Sequence, residues 1–263
     1  MEISSRKNPL IKQYRSLISD RKARRESGFF PIEGSKLCEE AIKSGAEPGK
    51  NAFVTDSAIK KYPAVVSQLE KKCSIIRIPE DIAEYISDTK SPQGIFITVK
   101  SLDKILNLST INNSANFLIL ENLQDMGNVG TIIRSCDAFG ISGIIMSHDC
   151  ADPFSPKTVR STMGSLFRVP VYFSDTENAI TLLKEGGFTV YAALLDKNAK
   201  KLGEEKLTAK TAVVIGNEGN GVTEKTASLC DSSLFIPMDS AESLNASVAA
   251  SIIAWEISKS RNS

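Results

Sequence analysis

Six short apolar runs punctuate the second half of the chain: Phe117–Leu120, Gly143–Ser147, Val169–Tyr172, Phe188–Ala192, Ala212–Gly216 and Leu234–Pro237. Several of them, such as the Phe-Leu-Ile-Leu at 117–120, are continuous rather than alternating. A strand without a polar face must be covered on both sides, which is the condition of a strand inside a parallel sheet. Helical stretches separate most of the runs, as crossover connections between parallel strands require. The pattern predicts an α/β domain over 116–263. Ligands of such sheets gather in the loops beyond the carboxyl ends of the strands.

The first hundred residues read differently. Leu10, Tyr14, Leu17 and Ile18 recur at helical spacing and predict an amphipathic helix over 8–18. Phe29–Ile32, Ala52–Thr55, Ser74–Ile78 and Ile95–Val99 read as short strands, with helical stretches near Ser35–Lys43 and Val65–Lys72. That is a small α/β domain over 1–99. The polar, turn-forming stretch 100–115, rich in Asn and Ser late in its course, reads as a linker.

Several function classes fall away early. No apolar run approaches the roughly 18–20 residues that span a bilayer, and Met1–Lys12 lacks the apolar core of a signal peptide, so a cytoplasmic protein with no membrane contact is expected. Five cysteines (Cys38, Cys73, Cys136, Cys150, Cys230), odd in number and without a C-x-x-C pair, give neither a disulfide framework nor a zinc knuckle. With His148 as the single histidine, no metal site and no Ser-His-Asp triad is expected, and His148 and Cys136 read as structural.

The net charge of +1 conceals a division. Residues 1–115 hold 19 Lys and Arg against 14 Asp and Glu, whereas 116–263 hold 13 against 17. Arg6–Arg25 alone carries eight basic residues and one acid, Asp20. Such asymmetry points to a polyanion, with Arg6, Lys7, Arg21, Lys22, Arg24 and Arg25 as contacts; a solvated helix face is the alternative.

Three loops at strand ends carry the residues able to do chemistry. The first, Glu121 to Gly140, runs E-N-L-Q-D-M-G-N-V-G-T-I-I-R into a helix and sets Asn128 and Arg134 on its first two turns, near the end that attracts anions. The second, Gly216 to Gly221, is G-N-E-G-N-G, where glycine permits unusual backbone angles and close approach of a ligand. Its G-x-x-G-x-G spacing reverses the dinucleotide fingerprint, which disfavours a nucleotide-dependent oxidoreductase. The third, Met238 to Ser251, places Ser243 and Asn245 at the start of a final helix with a small-residue face of Ala246, Ala249 and Ala250. In D-P-F-S-P-K-T-V-R, a further strand-end loop, Lys157 and Arg160 are candidate phosphate contacts beside Ser155, which also suits a helix cap.

N-V-G-x-I-x-R, I-G-N-E-G-x-G and I-P-M-x(4)-S-L-N-A-S-V-A, in this order, resemble the three motifs of the SpoU (TrmH-type) RNA 2′-O-ribose methyltransferases of the SPOUT superfamily. The resemblance implies a C-terminal parallel sheet flanked by helices and tied in a trefoil knot. It also implies a small N-terminal α/β domain, similar to certain ribosomal proteins, that binds RNA. S-adenosylmethionine is the implied cofactor. Its adenosine would lie against the backbone at Gly216, Ile236 and Leu244, with Leu195 at another strand end and Asn217, Gly221 and Met238 in the same loops. The implied functional side chains are Asn128, Arg134, Glu218, Ser243 and Asn245, and the implied assembly is a homodimer through the C-terminal domain.

Arg134 is implied as the base, but guanidinium groups stay protonated in proteins. Gripping the adjacent phosphate and steadying the developing alkoxide suits it better, with the proton passing to phosphate, water or an unusually perturbed Arg134. Asn128 anchors either Arg134 or the substrate ribose, and Glu218 orients either Arg134 or a backbone amide. Ribosomal RNA is the expected substrate. The alternatives are a tRNA 2′-O-methyltransferase and a catalytically silent RNA-binding protein of the same fold.

Overall fold

The computed structural model describes residues 1–112, 114–194, 196, 199–241 and 243–259. The chain opens with helices α1 (Pro9–Ser19) and α2 (Arg21–Ser27). It continues through β1 (Phe29–Glu33), α3 (Ser35–Lys43), β2 (Pro48–Val54), α4 (Asp56–Lys61), α5 (Pro63–Glu70), β3 (Ser74–Arg77), α6 (Glu80–Ile86) and β4 (Ile95–Lys100). After the short β5 (Asp103–Lys104) come β6 (Phe117–Leu120), α7 (Met126–Phe139), β7 (Gly143–Met146), α8 (Pro156–Ser161), β8 (Val171–Phe173) and α9 (Thr176–Glu185). The chain then runs through β9 (Thr189–Ala193), β10 (Lys200–Lys201), β11 (Thr211–Ile215), α10 (Glu224–Leu229) and β12 (Ser232–Phe235) to α11 (Ala246–Lys259).

Two compact units result, and neither is continuous in sequence. The first is Met1–Leu102 with Asp152–Phe167; the second is Asp103–Ala151 with Arg168–Ser263. Segment 152–167, read from sequence as part of the second domain, thus packs with the first. The stretch read as a linker contributes β5, which pairs with β8 in the larger sheet.

In the first unit a four-stranded sheet has the order β1-β4-β2-β3. Helix α1 starts where the Asn8 side chain accepts the Leu10 amide at 2.9 Å and Pro9 takes the first helical position. Its buried residues are Ile11, Tyr14 and Leu17, so the inward face is turned from the Leu10–Ile18 stripe expected from spacing. Asp20, the lone acid of the basic stretch, is the cap of α2: its carboxylate accepts the Lys22 amide at 2.8 Å. Arg24 corrects an expectation. It is only 7% exposed, its Nε and Nη2 meet Asp152 Oδ2 at 2.7 and 2.6 Å, and its Nη1 donates to the Leu17 carbonyl at 2.6 Å. A guanidinium so satisfied is a structural tie, not a phosphate contact. Phe154 and Phe167 add to the same attachment, with rings 5.0 and 6.5 Å from that of Phe30.

The second unit is built on an eight-stranded sheet of order β10-β12-β9-β11-β6-β7-β8-β5, every pairing of which is parallel. Strands β6, β7 and β11 are buried along their whole length, as their continuous apolar composition demands. Helices α9 and α10 pack over the face that carries Phe117, Ile119, Val190 and Val214, while α7 and α11 pack on each other. Parallel strands place all their carboxyl ends on one edge, and the loops after β6, β11 and β12 meet there.

The Arg24–Asp152 pair is buried with its hydrogen bonds complete, so removing one partner strands a charge. Arg24→Ala is expected to lower stability by about 3–5 kcal/mol in urea unfolding. Lys22→Ala, which removes an exposed pair with Glu26, is expected to change it by less than about 0.5 kcal/mol.

Candidate active site

The loop after β6 is shaped by its own polar side chains. Asp125 caps α7, accepting the Asn128 amide at 2.8 Å. Buried Glu121 accepts the Thr223 amide at 3.0 Å and the hydroxyls of Thr223 and Thr226, which ties the end of β6 to the start of α10. Asn128 is the third residue of α7. Arg134 is the ninth and so lies on the third turn, beyond the reach of the helix dipole, which fades within the first turn. Among the described residues the exposed Arg134 side chain has no hydrogen bond or ion pair.

The glycine loop folds back on itself. Asn217 and Gly221 exchange backbone hydrogen bonds at 3.1 and 2.9 Å, and the Asn217 side chain accepts the Gly219 amide at 2.9 Å. A Cβ on Gly216 would stand 2.0 Å from the Gly221 carbonyl carbon and 2.1 Å from the Val222 nitrogen. Nothing larger than glycine fits there, because both obstacles are backbone.

Glu218 leaves this loop toward the first one. Its carboxylate accepts the backbone amides of Gln124 and Asp125, both at 3.1 Å, and Nδ2 of Asn128 at 3.0 Å. Asn128 Oδ1 in turn accepts Nδ2 of Asn245 at 3.1 Å. Asn245 Oδ1 takes the amides of Ser247 and Val248 at 2.9 and 3.3 Å, capping α11. A single relay, Glu218–Asn128–Asn245, therefore joins all three loops. Partial burial pushes the Glu218 carboxyl up, but the hydrogen bonds from Asn128 and from the amides of Glu218, Gln124 and Asp125 outweigh it and hold the group below its ordinary range.

Beside the relay lies a cavity of about 270 Å³. Leu194, Ile215, Ile236, Met238 and Leu244 give it apolar walls, Gly216 to Gly221 offer backbone polar groups, and Ala246 and Ala249 keep α11 from filling it. Ala250, by contrast, is wholly buried. An apolar slot edged by backbone donors and acceptors suits a flat heteroaromatic group such as adenine. Of the residues expected from sequence, Gly216, Asn217, Glu218, Gly221, Ile236, Met238, Ser243 and Leu244 all line it. Leu195 lies outside the described residues. Of the alternatives left open for Glu218, the geometry takes the backbone amides; Asn128 holds Glu218 and Asn245, with no hydrogen bond to Arg134.

Gln124 and Asp125 are participants that sequence reasoning missed. Asp125 had a legible signal, an acid three residues before Asn128 at a helix start. Gln124 had none, since its contribution is a backbone amide.

The SpoU rRNA Methylase family model matches residues 115–255, which include all three loops. The chain belongs to this family. An MRM3-like substrate binding domain matches residues 8–96 of this SpoU family member. It is 33% identical to the 23S rRNA (guanosine(2553)-2′-O)-methyltransferase RlmP of Bacillus subtilis (strain 168), over 97% of this chain and 98% of the relative. It is 30% identical to the mitochondrial rRNA methyltransferase 3 of Mus musculus, over 92% of this chain and 70% of the relative. The crystal structure of an AdoMet-bound rRNA methyltransferase from Sinorhizobium meliloti superposes with a TM-score of 0.87 at 28% identity, covering 98% and 97% of the two chains.

A carboxyl with a lowered pKa stabilises what it holds above its ordinary range and loses that contribution as pH falls through the lowered value. The amide resonances of Gln124 and Asp125 are therefore expected to keep their neutral positions as pH passes the ordinary glutamate value of about 4.3, and to move together only below it. Glu218→Gln removes that transition in the same NMR titration.

Proposed function

We propose that this chain methylates a ribose 2′-hydroxyl of ribosomal RNA with S-adenosylmethionine as donor. The observation that carries the reading is the relay through Glu218, Asn128 and Asn245, which closes the three family motifs around one apolar cavity. Backbone at Gly216, Ile236 and Leu244 is assigned to the adenosine, with Asn217, Gly221 and Met238 completing the walls. When bound, S-adenosylmethionine supplies a methyl group activated by a positively charged sulfur.

The rest falls to the chain. Arg134, exposed and unpartnered among the described residues, grips the phosphate beside the target ribose and steadies the oxygen as its proton leaves to water or to phosphate. Asn128 and Glu218 keep the loops in register and Ser243 faces the cavity, so the hydroxyl is presented in a fixed direction, an effect able to supply on the order of 7–11 kcal/mol. The relatives similar over nearly the whole chain that are named for one RNA are named for rRNA, others carrying the joint name tRNA/rRNA, whereas a tRNA (guanosine(18)-2′-O)-methyltransferase matches only 55% of it, which favours ribosomal RNA.

The first unit is assigned to RNA affinity and the second to chemistry, in a chain working in the cytoplasm. Arg6, Lys7, Arg21, Lys22, Arg25, Lys157 and Arg160 remain as phosphate contacts, although Arg160 also holds Asp88 at 2.7 Å. Among the described residues no helix is long and apolar enough to cross a membrane, and no group of acidic, His or Cys side chains is arranged to hold a metal. The strand order of the second unit is compatible with the trefoil knot of the family. A homodimer through this unit is favoured by α11, which exposes Val248, Ile252 and Trp255 at helical spacing, Trp255 by 51%.

Arg134→Ala is expected to lower turnover on ribosomal RNA by at least about a hundredfold with cofactor affinity unchanged, read by methyl incorporation and calorimetry. Methyl groups recovered on a base atom would refute the proposal. Analytical ultracentrifugation is expected to give about twice the 28.5 kDa chain mass, and Trp255→Glu to halve it.

A further inference from the structure

The first unit contains a second cavity, of about 470 Å³, that the activity above does not use. Along it β2 slips its register against β4 between Pro48 and Ala52, a bulge that takes in Gly49, Lys50 and Asn51 of the lining. Gly49 makes the bulge possible, since a Cβ there would meet Thr98 Oγ1 at 2.1 Å. Tyr14 and Phe53, both buried, underlie it in an edge-to-face pair with centroids 5.7 Å apart. Tyr14 is fixed by its hydroxyl, which donates to the Ile32 carbonyl at 2.9 Å. Half-buried Phe29 forms a wall, and Gln13, Lys50 and Asn51 stand among the lining residues with more solvent exposure than Tyr14 and Phe53.

The chemistry of this lining is specific. The side-chain amides of Gln13 and Asn51 and the ammonium of Lys50 have no hydrogen bond or ion pair among the described residues. Among the described residues no carboxylate lines the cavity, and the charge in its lining is the ammonium of Lys50. Exposed Lys12 on α1 and Arg25 on α2 extend the same sign along the helices. The volume lies within the roughly 300–1,000 Å³ of small-molecule clefts. Half-buried Phe29 offers an aromatic surface to a base, two free amides each present a donor and an acceptor to its edge, and a lysine meets the adjoining phosphate.

We infer that this cavity receives one unpaired nucleobase of the RNA substrate, extruded from its helix. The inference rests on the RNA reading above and adds to it a recognition site outside the catalytic unit. Phosphate contacts along Arg6–Arg25 fix position without reading sequence or structure, whereas an extruded base makes the enzyme prefer RNA with a bulge or open loop.

The test uses the full chain and three hairpin RNAs: one with a single bulged nucleotide, tried as each of the four bases, one abasic at that position, and one fully paired. By fluorescence anisotropy at fixed salt, at least one base-bearing hairpin is expected to bind about tenfold or more tighter than the abasic one. Gln13→Ala with Asn51→Ala, both partnerless side chains whose loss leaves the fold intact, is expected to abolish that preference and leave abasic affinity unchanged. NMR shifts that differ between base-bearing and abasic RNA are expected at the amides of Asn51 and Thr98. Equal affinity for base-bearing and abasic hairpins, or a double variant weakened equally toward both, overturns the inference while the RNA reading stands. Failure to bind any hairpin overturns both.

Discussion

The carboxylate of Glu218 is the acceptor on which the catalytic edge of the second unit depends. Three loops arrive there from strands far apart in sequence, and each brings polar groups that this carboxylate and its partners hold together. Glu218 gathers two backbone amides and the Asn128 side chain, and Asn128 passes the connection to Asn245, which caps the last helix. Asn128 uses both its donor and its acceptor, so its exchange for an apolar residue takes a partner from Glu218 and from Asn245 at once.

That economy follows from the sheet beneath it. Strands β6, β7 and β11 are buried on both faces, so chemistry is confined to the edge where the parallel strands end, and of their side chains only Ile215, the last of β11, reaches the cavity among the described residues. Gly216 shows how tightly the edge is packed, with the backbone of Gly221 and Val222 occupying the place of a side chain. Alanines in α11 leave the adjoining space open on the other side. The cavity is defined by what these positions lack.

The first unit separates its charges by role. Arg24 is spent on holding Asp152, whereas Lys22 and Arg25, its close neighbours on the same short helix, remain exposed. Four residues apart, basic side chains point to similar directions, and those one or two apart do not, so one turn of α2 serves both the interior and the solvent. The bulge in β2 does something similar for a strand: it breaks the alternation that would bury Lys50 or Asn51, and both line the cavity beside Phe29.

Much of this was legible in the order of residues. Continuous apolar runs announce a doubly covered parallel sheet because burial is a local composition requirement, and the sequence alone determined that sheet, the three loops at its edge, the family and the cofactor they imply. Local composition also marked the glycine loop and Ser155, which caps α8. What only the tertiary structure decided were the partners. Glu218 meets the amides of Gln124 and Asp125 across more than ninety positions, and a backbone amide has no sequence signature. Arg24 is indistinguishable from Lys22 or Arg25 in composition, and its burial depends on Asp152, 128 positions away. Segment 152–167 joins the first unit for the same reason. Strand and helix formation are read from neighbours along the chain, but the satisfaction of a buried charge or polar group is set by whatever the fold brings within about 3 Å, and that distance is not encoded in local order.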